Sequence, residues 1–147
     1  MGKKQLVLTI DQGTTSTRAI LFDRSGSIRS MAQRPITQHF PQSGWVDHDA
    51  NEIWQTVREC VADSLARSGS RLDDVAAIGI ANQRETTVVW DRATGEPLAP
   101  AIVWQSRQSV PSVNAILERG MGDRFHQVTG LVPDAYFSAT KLALLLD

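Results

Sequence analysis

Residues 6–22 read LVLTIDQGTTSTRAILF, two short apolar runs separated by a polar loop. Both runs are rich in residues that favour strands, and Asp-x-Gly between such runs is typical of a hairpin. Gly13 lets the backbone turn tightly and approach a ligand, and successive N–H groups in such a loop can bind an anion. On the loop alone, an ordinary hairpin turn and a phosphate-binding loop are equally good interpretations.

The side chains of this loop favour phosphate binding. Four successive hydroxyl residues precede Arg18, namely Thr14, Thr15, Ser16 and Thr17, whereas a plain turn needs only one or two polar residues. Asp11, at the end of the incoming strand, is placed to hold Mg²⁺ through water, as phosphate-bound magnesium usually requires. The loop is not a P-loop, because it lacks a Gly-Lys-Ser/Thr ending and a strand follows it. It resembles the first phosphate motif of the actin-like ATPases.

Composition indicates a soluble globular protein of about one domain, with 41% hydrophobic and 21% charged residues in 147. The net charge of −1 gives no excess of positive charge that would favour binding to nucleic acid or to an anionic membrane. The sequence contains neither a signal-like segment nor an apolar run long enough to span a bilayer. Cys60 is the single cysteine, so we expect no disulfide framework and a cytoplasmic location.

The pattern that follows the hairpin predicts alternating strands and helices. Residues 27–37 continue the hairpin as the third strand of a meander. A helix is predicted to begin at Asp49, with Glu52 placed as in a capping box, and to end at Gly69. Residues 75–81 read VAAIGIA, a continuous apolar run typical of a strand covered on both faces.

Cys60 lies on the apolar face of that first helix and is predicted to be a buried small hydrophobe, not a nucleophile. Further strands are predicted at 86–90 and 101–104, and further helices at 111–119 and 138–146. The pattern predicts an α/β fold in which a mixed sheet, with an N-terminal three-stranded meander, is flanked by helices. This predicted order resembles the ribonuclease-H-like architecture of the actin-like ATPases.

Residues 141–147, KLALLLD, are strongly apolar, and no Gly, Asn or Pro follows them to end a helix. We therefore expect that the chain is truncated, or that another surface covers this helix. The sequence leaves the oligomeric state open, and a homo-oligomer is among the states that it allows.

A second polar segment, NQRETT at 82–87, follows the predicted buried strand, at the kind of strand end where α/β ligand sites gather. Arg84 can donate hydrogen bonds to neighbouring hydroxyls and Glu85 can accept them, which suits a polyol. Taken alone, the segment is better interpreted as an ordinary surface ion pair. The order of segments along the chain changes that interpretation: DQGTTSTR (11–18), GWVDHD (44–49), NQRETTVVWD (82–91), AIVWQ (101–105) and DAYFSATK (134–141).

This order resembles the FGGY carbohydrate kinase family over essentially all 147 residues, and within it the members that phosphorylate glycerol. The resemblance implies transfer of phosphate from ATP, with Mg²⁺, to glycerol, giving sn-glycerol 3-phosphate. Arg84 and Glu85 would bind the hydroxyls of glycerol, and Trp104 and Tyr136, otherwise interpreted as core aromatics, would line its carbon backbone. The nucleotide phosphates and Mg²⁺ would be bound by Gly13, Thr14, Thr15, Ser16, Arg18 and, for the metal, Asp11.

The sequence departs from the family pattern near Trp104. Ser106 stands where the family usually has the Asp of a Trp-x-Asp-x-Arg motif, which weakens the expected support around Trp104 and Arg107. Ala139 stands where Gly is common. In this family the aspartate that acts as catalytic base, and most of the adenine pocket, come from later in the chain. Residues 1–147 are therefore predicted to form an N-terminal lobe that needs its missing C-terminal lobe and has no useful kinase activity alone.

Two other functions stay open at this point. The first is a non-catalytic actin-like module that binds nucleotide or a partner through its leucine-rich end. Ser106 favours this slightly, whereas the intact set of Arg84, Glu85, Trp104 and Tyr136 argues against it. The second is a kinase for another small polyol, against which the QRET sequence at 83–86 argues.

Overall fold

The structure is a computed structural model and describes residues 5–146. Its strands are β1 Leu6–Gln12, β2 Ser16–Phe22, β3 Ile28–Pro35, β4 Asp47–His48, β5 Val75–Ala81 and β6 Ala101–Ile102. Its α-helices are α1 Ala50–Ser68, α2 Val110–Glu118, α3 Gly122–Thr129 and α4 Ser138–Leu146, and a short 3₁₀ helix, Leu72–Asp74, precedes β5. The chain divides into two compact units.

Unit 1 comprises the described residues up to Thr37 together with Asn51–Gln83. Its sheet has the strand order β3-β2-β1-β5, in which β1, β2 and β3 form an antiparallel meander and β5 runs parallel to β1. This confirms the predicted mixed sheet with an N-terminal meander. The core lies where Leu8 of β1 and Leu21 of β2 cluster with Cys60 of α1.

Helix α1 begins one residue after Asp49 and ends before Gly69, which adopts φ 66° in a left-handed turn, as predicted. The Glu52 carboxylate accepts hydrogen bonds from the N–H and the hydroxyl of Thr37. The first turn of α1 is thereby tied to the end of the meander. Cys60 is fully buried and its Sγ donates to the carbonyl of Thr17. Burial raises the pKa of this thiol, and Cys60 belongs to the apolar core cluster, which confirms the predicted buried position.

The buried face of α1 is more polar than its apolar residues predict. Thr56 and Ser64 are buried on either side of Cys60. Thr17 of β2 lies 3.0 Å from the hydroxyl oxygen of Thr56, and the hydroxyl of Ser30 in β3 donates to the backbone oxygen of Ser64 at 2.7 Å. Short hydroxyl side chains therefore allow α1 to pack close to the sheet, and their polar groups form hydrogen bonds there.

The prediction that β5 is covered on both faces is wrong for the described structure. Only Val75 of this strand is buried, whereas Ile78 and Ile80 are 56% and 71% exposed. Strand β5 lies at the edge of the sheet, and the hydrogen bonds of α1 reach β2 and β3 instead. An apolar run shows that a strand can be buried, but not which segment covers it.

Unit 2 comprises Gln38–Ala50 together with the described residues from Arg84 onwards. Its strands β4 and β6 pair in antiparallel fashion. The predicted strand at 86–90 is wrong, since this segment makes only isolated bridges, one of them between Thr87 and Ile102. The predicted strand at 101–104 is reduced to β6. Pro97 and Pro100 lie between these two segments, and a proline cannot donate the N–H that a longer ladder requires.

Helices α2 and α4 confirm the helices predicted at 111–119 and 138–146 within one residue at each end. Helix α3 is an element that the sequence analysis missed; it ends at Gly130, which has φ 73°. Among residues 5–146, no helix combines the length and the apolar character needed to cross a membrane.

The contact between Thr17 and Thr56 yields a stability prediction. Because the Thr56 hydroxyl donates to the carbonyl of Ile53, Thr17 is the donor of the pair. Thr17→Val should remove that bond and lower the free energy of unfolding by about 0.5–1.5 kcal/mol. Urea unfolding measures this change. Thr15→Val, at an exposed position of the same loop, is the matched control, and an equal effect of both variants would contradict the assignment.

Candidate functional site

The residues predicted to bind ligands fall into two groups, one in each unit. Unit 1 contains the residues predicted for phosphate and metal: Asp11, Gly13, Thr14, Thr15, Ser16 and Arg18. Unit 2 contains the residues predicted for a polyol: Arg84, Glu85, Trp104 and Tyr136.

The loop of unit 1 is a tight closure between β1 and β2. The N–H of Gly13 donates to the carbonyl of Ser16 at 3.0 Å. A Cβ at position 13 would lie 3.1 Å from that carbonyl oxygen, which is closer than side-chain carbons normally approach. The loop therefore closes this tightly because residue 13 is glycine.

The hydroxyl groups of this loop differ in their surroundings. Thr15 is exposed and Thr14 half-buried. Ser16 is 6% exposed, and its Oγ accepts a hydrogen bond from Gln33 at 3.1 Å. Thr17 is fully buried against Thr56, so the prediction that its hydroxyl serves a ligand is wrong. Its side chain points into the core because facing directions alternate along β2.

Asp11 and Arg18 are cross-strand neighbours and form an ion pair of 2.9 Å between Oδ2 and Nη1. Both side chains are about two-fifths exposed, at 43% and 39%. Exposed pairs contribute little to stability, so either group can exchange its partner for a ligand. Within the part of the chain that the structure describes, no cluster of three or more His, Cys, Asp and Glu side chains is placed to hold a metal. A single carboxylate still fits Mg²⁺ that is held mainly by phosphates and water.

Two glutamines that the sequence analysis assigned to no site support this loop. The buried Gln83 donates through Nε2 to Oε1 of Gln12 at 3.0 Å, and Gln12 donates to the carbonyl of Gly13 at 2.9 Å. Gln12 ends β1, and Gln83 follows shortly after its parallel neighbour β5. Polar residues at the carboxyl ends of adjacent parallel strands were the signal that could have identified them.

In unit 2, the Glu85 carboxylate is held at the start of α4. Its Oε2 accepts hydrogen bonds from the backbone N–H and the hydroxyl of Ser138, at 2.8 and 2.7 Å. The Ser138 hydroxyl, then the Ser138 N–H and the charge of Lys141, hold the pKa of Glu85 below its usual range. Glu85 also has φ 65°, a left-handed conformation that costs a non-glycine residue about 1–3 kcal/mol. Such strain is typical of functional positions.

Trp104 and Tyr136 meet in the same unit. Their rings pack edge to face with centroids 5.9 Å apart, and Tyr136 makes a second edge contact with Phe137 at 5.1 Å. Tyr136 is 38% exposed, so it is not a core aromatic. A cavity of about 290 Å³ is lined by Trp104, Gln105, Ser106, Arg107, Asp134 and Tyr136. This size lies at the small end for ligand pockets.

Arg84 differs from the other three predicted polyol residues. It is exposed, and it adjoins Glu85 in the chain. Ser138 links Glu85 to the segment that carries Tyr136, and Tyr136 contacts Trp104. The structure therefore brings Glu85, Trp104 and Tyr136 into one neighbourhood, and Arg84 joins them by its position in the chain.

Ser106 has a defined role despite departing from the family pattern. It is 1% exposed, and its Oγ accepts a hydrogen bond from the N–H of Val46 at 3.0 Å. The N–H of Val103 donates to the carbonyl of Val46 at 3.1 Å, and that of Arg107 donates to the carbonyl of Gly44 at 2.8 Å. The segment that carries Trp104 is thus held at three points by residues 44–46.

Asp47 and Gln108 add a fourth contact between these segments. Gln108 donates through Nε2 to the Asp47 carboxylate, and both side chains are buried. Burial raises the pKa of Asp47 above its usual range, against the opposing effects of the Gln108 bond and of His39. The sequence analysis assigned neither residue a role.

Comparisons with known proteins agree with this architecture. The sequence profile described as the N-terminal domain of the FGGY family of carbohydrate kinases matches residues 6–147. Glycerol kinases from Enterococcus casseliflavus, Bordetella pertussis and Enterococcus faecalis are 55%, 54% and 53% identical over 147 residues. Each match covers 100% of this chain and 29% of the relative. The chain therefore spans under a third of the length of these curated relatives.

Solved structures show the same fold. The crystal structure of Plasmodium falciparum glycerol kinase with ADP matches with a TM-score of 0.88 and 30% identity, over 99% of this chain and 29% of that one. Xylulose kinase from Rhodospirillum rubrum matches with a TM-score of 0.86 and 24% identity, over 96% of this chain and 29% of that one. The second likeness concerns the fold alone.

The Ser106 contact predicts a local stability effect. Ser106→Ala should leave the Val46 N–H without its acceptor and lower the free energy of unfolding by about 1–3 kcal/mol. Chemical denaturation followed by tryptophan fluorescence measures the change. Gln105→Ala, at the exposed neighbouring position, should stay within about 0.5 kcal/mol of the parent chain. If Ser106→Ala is equally neutral, the contact does not hold this segment.

The Ser138 contact predicts a pH effect. Ser138→Ala should raise the pKa of Glu85 toward its usual range, as carboxyl ¹³C NMR would record. A lowered folded-state pKa stabilises the protein above the unfolded pKa, and this contribution is lost as pH falls through the folded value. The destabilisation caused by Ser138→Ala should therefore shrink between about pH 7 and about pH 3. Ser43→Ala, at an exposed position of the same unit, should show no such trend; a constant Ser138→Ala effect would contradict the assignment.

Proposed function

Since this chain belongs to the FGGY family of carbohydrate kinases, we propose that it forms the N-terminal lobe of an enzyme that phosphorylates glycerol. ATP is the phosphate donor, and sn-glycerol 3-phosphate is the product. The chain spans 29% of the curated relatives, so the activity is proposed for a protein that contains this chain. The ribonuclease-H-like fold of the actin-like ATPases, expected from the sequence, is that of its structural neighbours.

The observation that carries the proposal is the Glu85 carboxylate, fixed by Ser138 in the same unit as the Trp104–Tyr136 pair. An ionised carboxylate only accepts hydrogen bonds, and a guanidinium such as that of Arg84 only donates them. Neighbouring hydroxyls of a polyol both donate and accept, so they match this pair. The aromatic rings then provide an apolar wall for the carbon backbone.

The loop of unit 1 is the proposed site for the nucleotide phosphates. Gly13 keeps the loop tight, Arg18 supplies a positive charge, and Thr14, Thr15 and Ser16 supply hydroxyls. Asp11 is proposed to orient Mg²⁺ through its water ligands, after exchanging its ion pair with Arg18. When bound, the metal neutralises charge on the phosphates. Phosphoryl transfer depends mainly on such positioning and charge stabilisation.

No catalytic base is assigned to a residue of this chain. The base and most of the adenine site are proposed to lie in other parts of the longer protein, in line with what the family resemblance implies. The 147-residue chain alone is therefore expected to show no useful kinase activity.

A hybrid enzyme tests this proposal. It joins this chain to the part of Enterococcus casseliflavus glycerol kinase that lies beyond their match. The hybrid should form ADP in a glycerol-dependent reaction. Arg84→Ala should lower its kcat/KM for glycerol by about ten- to a hundredfold, because charged hydrogen bonds contribute about 1.5–3 kcal/mol.

Arg92→Ala, at an exposed position, is the matched control and should leave kcat/KM unchanged. Circular dichroism confirms that each variant is folded. The proposal would be refuted by a folded hybrid that forms no ADP with glycerol, or that phosphorylates another polyol in its place.

A further inference from the structure

Lys141 is buried more completely than the leucines that follow it. Among the described residues, Lys141 is the largest side chain that is fully buried, with 0% exposure. Leu142, Leu144 and Leu146 are 41%, 38% and 72% exposed. Lysine is almost never fully buried unless it is paired. In α4 the charged residue is therefore buried and several leucines are exposed, which is the opposite of the usual arrangement. The buried ammonium requires an explanation.

The ammonium group lies against the backbone that leads into α4. Its Nζ donates to the carbonyl of Tyr136 and, at 3.4 Å, to that of Phe137. Burial lowers the pKa of Lys141, while the carboxylates of Glu85 and Asp134 act in the opposite direction. Both carboxylates belong to the same unit. The charge is thus compensated by carbonyl dipoles and by two acidic neighbours.

The turn that Lys141 holds carries the proposed polyol site. The N–H of Tyr136 donates to the Asp134 carboxylate at 2.7 Å, and the N–H of Phe137 donates to the Asp134 carbonyl at 3.3 Å. The next residue, Ser138, donates both of its hydrogen bonds to Glu85. One short segment therefore orients the Tyr136 ring and fixes the Glu85 carboxylate.

We propose that Lys141 is a positioning residue for this site, because its ammonium fixes the carbonyls of Tyr136 and Phe137 and so orients both Tyr136 and Ser138. This inference rests on the proposed function. The proposed role of Lys141 involves no contact with the substrate. Loss of the ammonium should misplace both the Glu85 carboxylate and the Tyr136 ring. Small misplacements of this kind can lower the rate about a hundredfold.

Lys141→Met in the hybrid enzyme is the direct test. Methionine keeps about the length of the lysine side chain and removes its charge and its donors. The KM for glycerol should rise about ten- to a hundredfold, while the KM for ATP stays unchanged. Lys141→Gln keeps a shorter donor and should show a smaller rise. In the 147-residue chain, Lys141→Met should also speed amide hydrogen exchange at residues 136–138, because the carbonyls of Tyr136 and Phe137 lose their donor.

Val113→Ala, at a buried position of α2, is the control for a purely structural effect. It should lower stability and the active fraction, hence the apparent kcat, without changing the KM for glycerol. The same behaviour in Lys141→Met and Lys141→Gln would overturn the proposal. Failure of both variants to fold would also overturn it, because Lys141 would then serve folding.

The two proposals fail in different ways. If the unmodified hybrid does not use glycerol, the proposed function is wrong, whereas amide exchange at residues 136–138 of the 147-residue chain still reports whether Lys141 orders the turn. If the unmodified hybrid uses glycerol and the Lys141 variants keep its KM for glycerol, only the positioning role is wrong.

Discussion

The hydrogen bonds from Ser138 to the Glu85 carboxylate are the contact on which the proposed polyol site depends. They join residues separated by 53 positions in the chain, and Glu85 itself has a left-handed backbone conformation. Two donors at the start of a helix stabilise the ionised form of the carboxyl group. Glu85 is therefore fixed as an acceptor at neutral pH, which is the property that a polyol hydroxyl requires from it.

Buried polar contacts play the same part throughout the chain. In unit 1 the hydroxyls of Thr17 and Thr56 connect α1 to the sheet. In unit 2 the hydroxyl of Ser106 holds the Trp104 segment, and the ammonium of Lys141 holds the turn before α4. A buried hydrogen bond is costly to leave unmade, so such contacts specify one arrangement more sharply than apolar packing does. Both candidate sites are placed by bonds of this kind.

The parts of the fold that depend on local signals could be predicted from the sequence. The meander and α4 follow from residue periodicity and turn residues. The exposure of β5 could not be predicted, since it depends on which segment covers the strand. At 86–90 the β-branched residues favoured a strand, but Pro97 and Pro100, which precede β6, limit the length of a ladder. In the site, the family motif predicted Glu85 and Tyr136 as ligand residues, whereas the contacts of Ser138 with Glu85 and of Lys141 with Tyr136 are seen only in the folded chain.

The most direct test of the central claim is hydrogen–deuterium exchange of the hybrid enzyme with and without glycerol. Glycerol should slow amide exchange in peptides covering 84–86, 103–107 and 134–138, and Glu85→Gln should abolish this protection. Protection confined to other segments, or protection that persists in Glu85→Gln, would contradict it.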